Sequence, residues 1–224
     1  MAVDAALDDD LSPAERRRRK VRDAIVEAAE AIFTEEGEAG ISMRRIAERI
    51  DYSPAALYKY FDSKEALFDE IREQFFERLY RRMQAVEEMV TEGPQVNEAC
   101  LRAYVETGLE QPAHYRLAFS SWFESKFDER PDSYGYAASE RLERMIEKAI
   151  ADGWFRQCDP VVAALSVWAG AHGLTMLAVT IPDFPGAKDK CAGLTLDDLI
   201  AFHAEATGRG LATPKLNAWL DAQK

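Results

Sequence analysis

The chain has 224 residues, enough for one small module and one larger domain. With 47% hydrophobic and 30% charged residues, 9 prolines and 12 glycines, its composition is that of a globular, mostly helical protein and excludes a disordered or low-complexity chain. Its net charge of −12 argues against nucleic acid as a partner of the whole surface, because such a partner demands Lys and Arg to neutralise phosphates.

The charge is unevenly spread. Residues 13–64 carry 11 Lys and Arg against 10 acids, whereas residues 65–224 carry 17 against 26, so the acid sits mainly outside the N-terminal quarter. Cys100, Cys158 and Cys191 lack the paired spacing of a disulfide framework or a zinc site, and no metal or other cofactor is expected. The N-terminus places acid before base with no apolar stretch, unlike a secretory signal, so a reducing cytoplasm is the expected location.

In chain order, Ser12-Pro13-Ala14-Glu15 is a capping box with proline at the first helical position. Val21, Ile25, Ala28, Ala29, Ile32 and Phe33 then recur on one helical face until Gly37 offers a C-terminal cap. Ser42 caps a short second helix from Met43 to about Ile50, with Ile46 and Ile50 inward. Ser53-Pro54 repeats the signal after a tight turn at Asp51-Tyr52, and a third helix from Pro54 to Tyr60 buries Leu57, then Phe61 past its end. Two short helices about a tight turn form a helix-turn-helix.

A long fourth helix starts at Asp62 or Ser63, with Glu65 placed to complete a box on Asp62, and runs to Gly93-Pro94. Further helices are predicted at about 95–110, 113–125, 134–152, 160–180, 195–208 and 214–222. From Pro160 to Pro182 there is no Asp, Glu, Lys or Arg. Ser166, Gly170, His172, Gly173, Thr175 and Thr180 inside that run, and Asp159 and Asp183 beside it, favour a helix buried by protein over a membrane span. The fold class is therefore all-α: an N-terminal three-helix helix-turn-helix domain, residues 12–62, joined by the long fourth helix to a larger helical domain, residues 63–224.

The stretch SMRRIAERIDYSPAALYKYFDSKEALF, Ser42 to Phe68, resembles the DNA-binding signature of the TetR family, with Asp51 where that family usually has glycine. The third helix puts Ser53, Pro54, Ala55 and Ala56 where a small surface approaches base edges, with the alanine methyls suited to thymine methyls and Lys59 one turn on. The resemblance implies phosphate contacts for Tyr58, Tyr60 and Lys64. Arg44 and Arg45, at the start of the second helix, are expected to point the same way, and the basic run Arg16 to Lys20, with Arg22, to flank the module.

Further on, Asp159-Pro160, Ala163-Ala164, Trp168, His172-Gly173-Leu174 and Leu177, with Pro112 to Phe119, resemble the Trp-His-Gly type of C-terminal effector domain found in part of that family. The resemblance implies a homodimer through the helices near 160–180 and 195–208, with Val162, Leu165, Ala169 and Met176 facing the partner. It further implies a palindromic double-stranded operator and a small apolar or amphipathic effector that shifts the fourth helix. The candidate pocket residues are Phe75, Leu79, Met83, Tyr104, Phe119, Trp122, Phe123, Trp168 and His172, although His172 also suits a core or interface role. A helical enzyme using His114, His172 or His203 with Cys158 or Cys191 is the competing reading, but no motif pairs them. An adaptor on the same fold is the other, and it is disfavoured because Arg44, Lys59 and Lys64 are all present.

Overall fold

A computed structural model describes residues 12–89, 93–120, 131–186 and 191–222. These residues form α-helices and one short 3-10 turn, with no strand among them and one isolated bridge, Phe155 to Ala212. The chain separates into two compact units, residues 1–71 and 72–224.

In the first unit, α1 (Pro13–Glu36) begins at the predicted capping box: Ser12 Oγ accepts from the Glu15 amide, and the Glu15 carboxylate accepts from the Ser12 amide at 2.8 Å. It ends at Gly37, whose φ of 72° and ψ of −173° lie where only glycine is unstrained, and whose N–H reaches the Phe33 carbonyl. After a 3-10 turn at Glu38–Gly40 come α2 (Met43–Arg49), capped by Ser42, and α3 (Pro54–Leu57), capped by Ser53. Ile25, Ala29, Ile32, Ile46, Ala47, Leu57 and Phe61 make the core, together with Leu67, Phe68 and Ile71 from the start of α4 (Lys64–Met89).

Three local differences from expectation have simple causes. Regular α3 stops at Leu57, because the amides of Lys59 and Tyr60 bond three residues back, to Ala56 and Leu57, and tighten the last turn. Ile50 is only half-buried, since it forms the end of α2. The cap of α4 is Ser63, whose hydroxyl accepts from the Ala66 amide at 3.1 Å, so Asp62 does not serve as the cap.

In the second unit, the rest of α4 is joined by α5 (Gly93–Glu110), α6 (Pro112–Ser120), α7 (Tyr134–Ala151), α8 (Pro160–Thr180), α9 (Leu196–Leu211) and α10 (Pro214–Ala222). Helix α8 packs on α5, α6 and α7. It approaches α5 where Gly108 meets Thr175, a contact with no room for a larger side chain. The last helix is held by the bridge Phe155–Ala212 and by Leu216, buried with Ile146 and Phe155. By length and composition α8 could cross a membrane, yet only part of it is enclosed by this chain. Val162, Leu165 and Leu177 are 61%, 55% and 46% exposed, and Ala169 lies on the same open face. Phe202 on α9 is 72% exposed.

Candidate functional site

The turn between α2 and α3 is built on Asp51, which takes φ 58°, a left-handed conformation that aspartate tolerates better than most residues. The Tyr52 amide closes the turn on the Ala47 carbonyl at 2.9 Å. Ser53 then accepts from the Ala56 amide at 3.2 Å and starts α3 on a proline whose missing N–H costs nothing there. With Leu57 and Phe61 buried behind it, α3 leaves Ser53, Pro54, Ala55, Tyr58 and Lys59 on the surface. Ala56 and Tyr60 are half-buried beside them.

Helix α1 braces the end of α3. Arg22 donates to the Tyr60 carbonyl at 2.9 Å, pairs with Glu70 at 2.6 Å, and lays its guanidinium over the Phe61 ring at 4.4 Å. Arg18 reaches the Lys59 carbonyl at 3.4 Å. Cations at carbonyls that end a helix oppose its dipole, so the unit uses Arg22 as a brace, and its donors are engaged internally instead of projecting with the basic run. Sequence spacing gives no signal for this, since the partners lie 38 and 48 residues away.

The remaining basic candidates divide. Lys59 is exposed, and Lys64 is half-buried with its ammonium 5.0 Å from the Phe68 ring, a position that anchors the aliphatic stem. Arg44 is largely exposed and bonds Glu48 one turn on at 2.8 Å. Arg45 forks onto Glu36 and also reaches the Gly40 carbonyl, while Arg49 forks onto Glu35 at 2.7 and 2.8 Å. These bonds hold the Glu35 and Glu36 carboxyls below their usual range. Exposed pairs of this kind contribute little to stability and exchange readily for another anion.

The second unit holds an aromatic polar cluster and a cavity. In the cluster, Tyr115 Oη lies 2.6 Å from His172 Nδ1, and Tyr104 Oη lies 3.3 Å from both Tyr115 Oη and that nitrogen. Trp168 Nε1 donates to Tyr104 Oη at 3.2 Å, and the Trp168 ring stacks on His172 at 5.5 Å. Burial pushes both tyrosines well above the usual phenol range and pulls His172 below its usual value, so neutral tyrosines face a neutral imidazole. Phe75 packs edge-on against Tyr115 and Phe119, and Phe119 lies tilted against Tyr115.

The cavity, of about 190 Å³, lies among α4, α5, α7 and α8. Of the candidate pocket residues, Leu79, Met83, Tyr104 and Trp168 line it. Phe75, Phe119 and His172 sit in the cluster instead and are not in its wall, while Trp122 and Phe123 lie outside the described residues. Much of the wall was not anticipated: Asn97, Cys100, Ala138, Leu142, Glu143 and Ile146 come from α5 and α7. Burial raises the Cys100 thiol to about 12, which makes it a poor nucleophile. Among the described residues, no group of three or more His, Cys, Asp or Glu is placed to hold a metal ion.

Helices α2 and α3 about a left-handed turn, the second of them capped and exposed, define a helix-turn-helix nucleic-acid-binding unit. It is joined in sequence to a helical unit with an apolar cavity. The chain belongs to the tetR family of bacterial regulatory proteins: that family's N-terminal model matches residues 25–71, and a tetracyclin repressor-like C-terminal domain matches residues 98–199.

An uncharacterised HTH-type transcriptional regulator of Mycobacterium tuberculosis is 48% identical over 52 residues, which span 23% of this chain and 26% of that protein. The match thus covers about a quarter of that relative's length. The HTH-type transcriptional repressor KstR of Rhodococcus jostii is 31% identical over 114 residues, 44% of this chain and 53% of that protein. The crystal structure of a tetR-family regulatory protein from Rhodococcus RHA1 has a TM-score of 0.68 at 22% identity, covering 86% of this chain and 97% of that one, and it shares the fold.

Proposed function

We propose that the protein is a repressor that binds a palindromic DNA operator as a homodimer and is released when a small apolar or amphipathic molecule enters the cavity of the second unit. One observation carries the DNA reading: α3 buries Leu57 and turns Ser53, Pro54, Ala55, Tyr58 and Lys59 outward as one surface. The small residues let the backbone approach base edges, while Tyr58, Lys59, Tyr60 and Lys64 offer donors to phosphates. Arg44 and Arg45 join them by exchanging their carboxylate partners for phosphate, since charge-assisted bonds of an arginine fork suit either anion.

The homodimer reading rests on the open apolar face of α8 and on Phe202, because soluble monomers rarely expose a contiguous patch of this kind. Ala163, Ala164, Ala171 and Thr175 on its other side are buried, so a second copy on the open face accounts for the uncharged helix without a bilayer. A two-fold dimer presents two recognition helices to half-sites about 34 Å, or a multiple of that, apart. The stacked Trp168 and His172, followed by Gly173, favour the Trp-His-Gly type of effector domain. The reading makes the protein a cytoplasmic regulator without catalytic activity. Coupling would run through α4, which carries Lys64 near its start and Leu79 and Met83 in the cavity wall.

The test is binding to DNA flanking the protein's own gene, against scrambled duplex, at low salt. The expected result is a sequence preference that Tyr58→Ala or Lys64→Ala weakens by about 1 kcal/mol or more. Equal binding to both duplexes would refute the reading.

A further inference from the structure

We propose that the cavity takes a small apolar cation, an ammonium group on a single aromatic ring or a similar branched body, with Glu143 as its counter-ion. The inference rests on the reading of this cavity as the effector site. Among the described residues of the wall, Glu143 is the one acidic residue, and there is no Lys, Arg or His. The wall's strong neutral donors are largely engaged within the protein. Trp168 Nε1 bonds Tyr104, whose hydroxyl also lies within bonding distance of Tyr115 and His172, and the Asn97 amide bonds the Ala204 carbonyl at 3.2 Å. Ser139 Oγ lies 3.4 Å from the carboxylate of Glu143, its donor directed to that anion.

The arginines on either side of this turn of α7 are committed elsewhere, Arg141 to Glu87 and Arg144 to Glu140. A carboxylate or phosphate entering the cavity would therefore lose its water, find no cationic donor among the described residues of the wall, and meet Glu143 at like charge. An ammonium would meet Glu143 at opposite charge and the rings of Phe76, Tyr104 and Trp168, whose π-systems can attract a cation. The volume of about 190 Å³ sets the scale, since an engineered apolar cavity of about 150 Å³ holds benzene.

Three probes of one size and different charge decide the matter at neutral pH: benzylamine as the cation, benzyl alcohol as the neutral form and benzoate as the anion. Their affinities for the full-length protein and for Glu143→Gln are measured by calorimetry, with melting of the unliganded variant as the check on folding. The expected result is that benzylamine binds about tenfold or more tighter than the other two, and that Glu143→Gln removes the advantage. Benzoate or benzyl alcohol binding as tightly as benzylamine, or an advantage that persists in Glu143→Gln, would overturn the charge assignment and leave the cavity as an effector site. Failure of all three to bind a protein that still binds its operator would overturn the effector-site reading, and this inference with it.

Discussion

The Tyr115 hydroxyl stands 2.6 Å from Nδ1 of His172, and this contact fixes the state of both groups. Tyr115 is buried and stays protonated, so it donates, and His172 must be neutral to accept. Burial lowers the His172 pKa in the folded state, so acid favours the unfolded chain, where the imidazole takes up its proton near pH 6.5. The stability this contact contributes is complete above about pH 6.5 and is lost as pH falls from there through the depressed folded-state value. The wild-type melting temperature should therefore drop more between about pH 7.5 and about pH 5.5 than that of His172→Gln, which keeps an acceptor but cannot titrate. Parallel curves for the two proteins would remove the role.

Asp51 holds the recognition turn at a positive φ. Asp51→Gly should leave the melting temperature unchanged or raise it slightly. Asp51→Val should cost about 1 kcal/mol or more in denaturant unfolding, because a β-branched residue resists the left-handed region. Equal stability of the two variants would show that the turn is not held in that conformation.

Gly108 meets Thr175 and Tyr115 so closely that an added Cβ would lie 2.4 Å from Thr175 Cγ2 and 3.0 Å from Tyr115 Cδ2. Both neighbours are buried, and Thr175 Oγ1 is bonded to the Ala171 carbonyl at 2.8 Å. Gly108→Ala should destabilise the protein by about 1–3 kcal/mol despite alanine's better helix propensity. Gly210→Ala, at a position with nothing within 4 Å, should change stability by no more than a few tenths of a kcal/mol, or raise it. Urea titrations of the two variants separate close packing from propensity.

Leu165 on the open face of α8 and Phe202 on α9 are both exposed and contribute little to the core of a single chain. If these residues form the proposed homodimer interface, Phe202→Asp and Leu165→Asp should give a folded monomer in sedimentation experiments, with unchanged helical content and weakened operator binding. A variant that remains dimeric would place the interface elsewhere.

Much of the fold is legible in the sequence because its signals are local. The boxes Ser12–Glu15 and Thr195–Asp198, the caps at Ser42 and Ser53, and the prolines that follow Ser12 and Ser53 mark helix starts within four residues of chain. The recognition surface follows from the same kind of signal, since the burial of Leu57 and Phe61 decides which neighbours turn outward. The cavity is another matter. Its wall joins Leu79, Cys100, Glu143 and Trp168 from four helices, and no periodicity reports which apolar residue borders a void and which fills the core. Aromatic character pointed to Phe75, Phe119 and His172, which pack on one another, while small and aliphatic residues of α7 form the cavity side. The bracing of α3 by Arg22 was hidden for the same reason: a cationic residue in a basic run reads as a phosphate ligand until its distant partners are known.

The central claim is that α3 reads DNA sequence as one half of a two-fold pair. Selection of preferred sites from random duplexes by the purified protein tests it most directly. The predicted result is an enriched palindrome whose half-sites are separated by a whole number of helical turns and which Tyr58→Ala and Lys59→Ala no longer enrich. Recovery of no preferred sequence at low salt, or of the same palindrome with both variants, would contradict it.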